Sequence, residues 1–154
     1  MDTFVPQVPS DIIKRLDLTT DQMIPFLQLD SLSAIAAAKK AIEEYGRFWL
    51  GNEKVEAEFY YLDILTERER LMAVDIALQE ILPACRLGPQ PPDDVSSHPP
   101  FKGRHLYAFC WHSEEFKKDL YFKFALVSGS GSTRLAVYSF HEAADKYKGD
   151  IKPR

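Results

Sequence analysis

The succession of sequence patterns along this chain predicts an α+β fold, with N-terminal helices packed on one face of a C-terminal antiparallel sheet of three strands or slightly more. Two observations carry that reading. Helix formers with recognisable caps fill the segments around residues 31–46 and 66–82, whereas beyond residue 104 the apolar period falls to two and the residues become aromatic and β-branched. Between them lies a stretch holding six of the ten prolines, "PACRLGPQPPDDVSSHPP", which can sustain neither ladder nor helix and reads as an irregular crossing. Helices first and strands after is the order of an α+β domain.

Taken in order, residues 1–30 look like an N-terminal arm: Pro6, Pro9 and Pro25 interrupt short amphipathic pieces such as "SDIIKRL", where Ser10 could cap a brief helix. Residues 31–154 form one domain. Its clearest helix is "DSLSAIAAAKKAIEEYG", capped by Asp30 or Ser31 and stopped by Gly46. "FWLGNEKVEAEFYYLDIL" fits neither the helical nor the strand period and stays open between the two. "TERERLMAVDIALQEILP" opens on a capping box, Thr66 with Glu69, and carries Leu71, Val74, Leu78, Ile81 and Leu82 on one stripe. A helix over about residues 67–82, ending near Pro83, follows. "RHLYAFCW", "LYFKFALV" and "LAVYSFH", separated by "HSEEFKK" and "SGSGSTR", then make a three-stranded meander.

A chain of 154 residues with 45% hydrophobic content can bury one core. It has no run of eighteen apolar residues and no basic start followed by an apolar stretch, so a cytoplasmic protein without membrane span or secretory signal is expected. Cys85 and Cys110 read as reduced, buried thiols. Net charge is -4, but residues 1–100 hold 9 basic and 17 acidic side chains and residues 101–154 hold 10 and 6, giving -8 and +4. A surface for a polyanion belongs in the C-terminal third, if anywhere.

The last hairpin concentrates the polar chemistry. Leu120, Phe122, Phe124 and Leu126 share a core face, and Tyr121, Lys123, Ala125 and Val127 share the other, open one. With a loop over 128–134, Val127 falls opposite Leu135, Ala125 opposite Val137, Lys123 opposite Ser139 and Tyr121 opposite His141; Phe122 meets Phe140 and Phe124 meets Tyr138 on the core side. A phenol, an imidazole and an ammonium thus converge, provided the register does not slip by one residue. Periodicity alone favours ordinary polar residues on a solvated sheet face, with His141 merely ending a strand.

"LYFKFALV" followed by "LAVYSFHEA", and preceded by "LDILTERERLMAVDIALQEI", "LGPQPPDD" and "HLYAF", resembles the MqsR family of bacterial toxin ribonucleases, which have a RelE-like α+β fold. The resemblance spans roughly residues 60–143 and finds no counterpart for residues 1–30. It implies an endoribonuclease toxin of a toxin-antitoxin pair, cutting messenger RNA without metal or other cofactor and neutralised by a cognate antitoxin protein. The family's Tyr-x-Lys strand falls on Tyr121 and Lys123, and its last-strand basic position on His141, where some relatives carry Lys. A further basic residue corresponds to Arg86 after a one-residue shift, and Arg104 stands where better-known members have Gln. The implied chemistry is attack of the ribose 2′-OH on the adjacent phosphate, with His141 as general acid or base, Lys123 with Arg86 or Arg104 holding phosphoryl charge, and Tyr121 bonding phosphate or stacking on a base.

Two other functions compete: a non-catalytic binding module on the same fold, as an inactive relative or a phage or defence-system protein would be, and a different small enzyme using the sheet face. His98, His105 and His112 do not have a zinc-ligand spacing. "GSGS" joins strand to strand and lacks the Lys-Ser/Thr ending of a phosphate cradle. Trp49 and Trp111 are expected in the core, and no Ser or Cys nucleophile sits in an elbow motif.

Overall fold

Asp30 starts the first helix, α1 (Ser31–Tyr45), by accepting a hydrogen bond from the Ser33 N–H at 2.7 Å on its carboxylate. The chain's structure, a computed structural model, describes residues 29–87, 104–129 and 132–144. The expectations for the arm up to residue 28, including a cap at Ser10, for the crossing beyond residue 87 and for the Gly/Ser turn tip lie outside the described residues. Gly46 ends α1 at φ 63°, a left-handed angle that suits glycine, and its N–H reaches the Ile42 carbonyl at 2.8 Å.

The ambiguous segment after Gly46 turns out to hold one element of each kind, which is why neither period fitted it. Strand β1 (Trp49–Leu50) is followed by helix α2 (Lys54–Tyr61), which buries Val55 and Phe59. Helix α3 (Glu67–Glu80) carries the expected capping box: the Thr66 hydroxyl accepts from the Glu69 N–H, and the Glu69 carboxylate accepts from the Thr66 and Leu65 N–H groups, each at 3.0 Å. It stops two residues short of the expected end. Ile81 is already extended and buried, and Leu82 turns out to solvent. A 3₁₀ turn, Pro83–Cys85, leads into strand β2 (Arg86–Leu87).

Strands β3 (Leu106–Ser113), β4 (Lys118–Gly129) and β5 (Ser132–Glu142) form the expected antiparallel meander. The two short strands extend it to five in the order β1-β5-β4-β3-β2, and β1 runs parallel to β5, so the sheet is mixed. The outer edge of β5 is well protected. Beyond the β1 pairing, Gly51 donates to the Val137 carbonyl at 2.7 Å, Asn52 donates to the Tyr138 carbonyl at 3.1 Å, and the Glu58 carboxylate accepts from the Phe140 N–H at 2.8 Å.

The three helices pack on one face of the sheet. Ala34, Ala38, Val74 and Leu78 meet Phe109, Trp111, Phe122, Phe124 and Phe140 in the main core. Glu80, only 7% exposed, ties the end of α3 to the sheet: its carboxylate accepts from Trp111 Nε1 at 2.8 Å and from the Glu115 N–H at 3.1 Å. Trp111 is in the core as expected, but Trp49 is only half-buried at the β1 edge. Cys85 and Cys110 are buried thiols, not joined in a disulfide. Among the described residues no helix is long and apolar enough to cross a membrane.

The opposite face differs from the open face expected. Ala125, Val127, Ala136 and Tyr138 form one buried cluster with Leu106, and Cys110, Tyr121, Leu87 and Ala143 form another. Unbroken apolar runs such as "LYAFCW" mark strands withdrawn from water on both faces.

Candidate functional site

The register at the start of the hairpin is the expected one. Tyr121 lies opposite His141, Phe122 opposite Phe140 and Lys123 opposite Ser139. Past Lys123 a β-bulge shifts it: Phe124 meets Val137 instead of Tyr138, Ala125 meets Ala136, and Val127 meets Arg134 instead of Leu135. The pairing continues to Gly129 and Ser132, so the strands run on through most of the segment read as a 128–134 loop. The extra residue is Tyr138, which the bulge turns onto the second face beside Ser139. Its ring there lies over Gly51, where a Cβ would come within 2.5 Å of it.

Tyr121 and His141 therefore share a face, and their rings stack with centroids 5.0 Å apart and planes 12° from parallel. Tyr121 contributes the inner wall, at 7% exposure, whereas His141 and Lys123 are half-buried. A carbonyl can only accept, so the 2.8 Å contact from His141 Nδ1 to the Glu142 carbonyl places the proton on Nδ1 in the neutral ring. Nε2 is left with the lone pair. Lys123 follows two residues along the same face of β4, about 7 Å from Tyr121 by strand rise.

The two arginines are placed elsewhere. Arg86 pairs with Phe109 and points to the helix side, where its guanidinium lies 4.8 Å from the centre of the Tyr107 ring and 3.4 Å from both the Leu29 carbonyl and the Ser31 hydroxyl. That is the face opposite Tyr121 and His141. Tyr107 in turn accepts from the Leu29 N–H at 3.0 Å, and burial pushes its phenol above the usual tyrosine range. Continuing the register of β3 sets Arg104 level with Val127, four residues and about 13 Å along the sheet from Lys123. The structure thus brings together Tyr121, Lys123 and His141 and leaves Arg86 and Arg104 outside that group.

Of the remaining histidines, His112 pairs with Asp119 across β3 and β4 at 2.8 Å, and His98 lies outside the described residues. Among the described residues no group of three metal-ligating side chains is gathered. Four arginines went unremarked in the sequence because they are scattered: Arg47, Arg68 and Arg70 line a cleft beside β1, and Arg134 lies against Tyr45 and Trp49. Comparison of the chain with protein-family models, with curated proteins and with solved structures finds no match in any of the three.

Proposed function

We propose that the chain is an endoribonuclease toxin that cuts messenger RNA without a metal ion and is held in check by a cognate antitoxin protein. The observation that carries this reading is the stacked Tyr121–His141 pair, with Lys123 on the same face and with the imidazole proton committed to Nδ1 by the Glu142 carbonyl. In the neutral ring, Nε2 takes the proton of the ribose 2′-OH as that oxygen bonds to the adjacent phosphorus. The P–O5′ bond then breaks, the leaving oxygen takes a proton from water, the hydroxide so formed takes the proton held on Nε2, and the products are a 2′,3′-cyclic phosphate and a 5′-OH. Lys123 offsets the charge gathering on the phosphoryl oxygens, and Tyr121 holds the imidazole plane by stacking. Arg86, on the opposite face, and Arg104, well along the sheet, are not needed for this assignment.

A second reading is favoured by one specific observation. Tyr121 is nearly withdrawn from solvent and is packed with Cys110 and Ala143, as suits a structural role in a binding module that does no chemistry. Inducible expression in bacteria separates the two. The nuclease reading expects the natural chain to arrest growth and deplete transcripts, and His141→Ala to relieve both at equal protein level; a natural chain as harmless as the variant leaves the binding module.

A further inference from the structure

The cleft beside β1 has a volume of about 550 Å³ and is built from the turn after α1, strand β1 and the first turn of α3. Arg47, Arg68 and Arg70 line it together with Phe48 and Trp49, against one acidic residue, Glu67. Behind the Trp49 wall, Arg134 is 9% exposed, with its guanidinium 3.6 Å from the centre of the Tyr45 ring and 5.4 Å from that of Trp49. The Nε atoms of Arg70 and Arg134 are buried without a hydrogen-bond partner. Among the described residues no carboxylate forms an ion pair with any of these four guanidinium groups. Gathering cations this way costs free energy that an anionic ligand would return.

We propose that the cleft binds a nucleotide unit, its phosphate held by Arg47, Arg68 and Arg70 and its base stacked on Trp49 or Phe48. Guanidinium forks match phosphate oxygens in pairs, and aromatic rings take the π-face of any base. Phe48 and Trp49 pack against the core on one side, yet both are only half-buried and line the cleft, where a base can stack and an acidic peptide has no matching group. The volume is within the range of small-molecule sites. Because the cleft lies at the β1 edge of the sheet and its lining includes neither Tyr121, Lys123 nor His141, this inference does not depend on the role of His141.

The chain has two tryptophans, and Trp111 is fully buried, so quenching of fluorescence on binding reports Trp49. Probes are nucleoside 5′-monophosphates, the matching nucleosides, inorganic phosphate, a short polyglutamate peptide and a short 2′-O-methyl oligoribonucleotide that lacks the 2′-OH needed for cleavage. Quenching by a monophosphate identifies a free nucleotide as the ligand, and quenching by the oligonucleotide alone identifies a strand; either supports the proposal. Arg47 and Arg68 are exposed, so the double variant Arg47→Ala/Arg68→Ala should fold normally and bind at least about tenfold more weakly. The proposal is overturned if no nucleotide probe binds, if phosphate or the peptide binds as tightly as the best nucleotide, or if the double variant binds undiminished.

Discussion

His141 owes its chemical character to its neighbours on the sheet: the stacked Tyr121 ring fixes its plane and the Glu142 carbonyl fixes its tautomer. Counting from the turn aligned Tyr121 with His141 only because two misreadings cancelled: Val127 meets Arg134 rather than Leu135, and the bulge past Lys123 restores the counted register for the rest of the hairpin. Glu80 shows what pattern cannot reach. It sits in "LQEIL" like any surface glutamate of a helix end, and only the tertiary arrangement gives it Trp111 and Glu115 as partners. Glu80→Ala leaves two donors without this acceptor and is expected to lower unfolding free energy by about 2–4 kcal/mol in urea titration. Glu80→Gln keeps an acceptor for one donor but sets its amide NH2 against the other, so it should recover only part of that loss.

Individual elements were legible where local chemistry specifies them. Asp30 and Gly46 bracket α1, and the Thr66–Glu69 box opens α3, because caps are written in adjacent residues. The hydrogen bonds from the Leu65 and Thr66 N–H groups hold the Glu69 carboxyl below its ordinary value of 4.5. A lowered folded-state pKa means that the stabilisation is complete above the ordinary value and is lost as pH falls through the lowered one. The melting-temperature difference between the natural chain and Glu69→Ala should therefore be largest near neutrality and shrink below pH 4.5. The bulge was not legible. Strands of uniform apolar character give no sign of where a register shifts, and the shift answers to contacts far off in sequence, Tyr138 over Gly51 and Asn52 on the Tyr138 carbonyl. Gly51→Val would collide with that ring and should cost about 1–3 kcal/mol, read by urea denaturation.

At the scale of the whole molecule, helices followed by a sheet was readable from the change of period, and the structure has that α+β arrangement. What the period obscured is that the sheet is buried on both faces. A face carrying Tyr121, Lys123 and His141 reads as polar, yet Cys110, Ala125 and Ala136 on that same face are fully buried. Any RNA must accordingly meet His141 and Lys123 at the half-exposed margin of that face rather than across an open sheet. Strand β1 stayed undecided inside an ambiguous segment and β2 escaped notice, since two residues are too few to show a period. The charge asymmetry between chain segments does not by itself locate a polyanion: the arginine-lined cleft draws on residues 47–70, within the acidic part of the chain.

The central claim concerns His141 and metal-free cleavage, and incubating the purified chain with RNA in EDTA tests it most directly, with end-group analysis of the products. The account predicts fragments ending in 2′,3′-cyclic phosphate and 5′-OH, with the rate reduced roughly a hundred- to ten-thousand-fold in His141→Ala. RNA left intact in EDTA, or cut equally fast by the natural chain and His141→Ala, would contradict it.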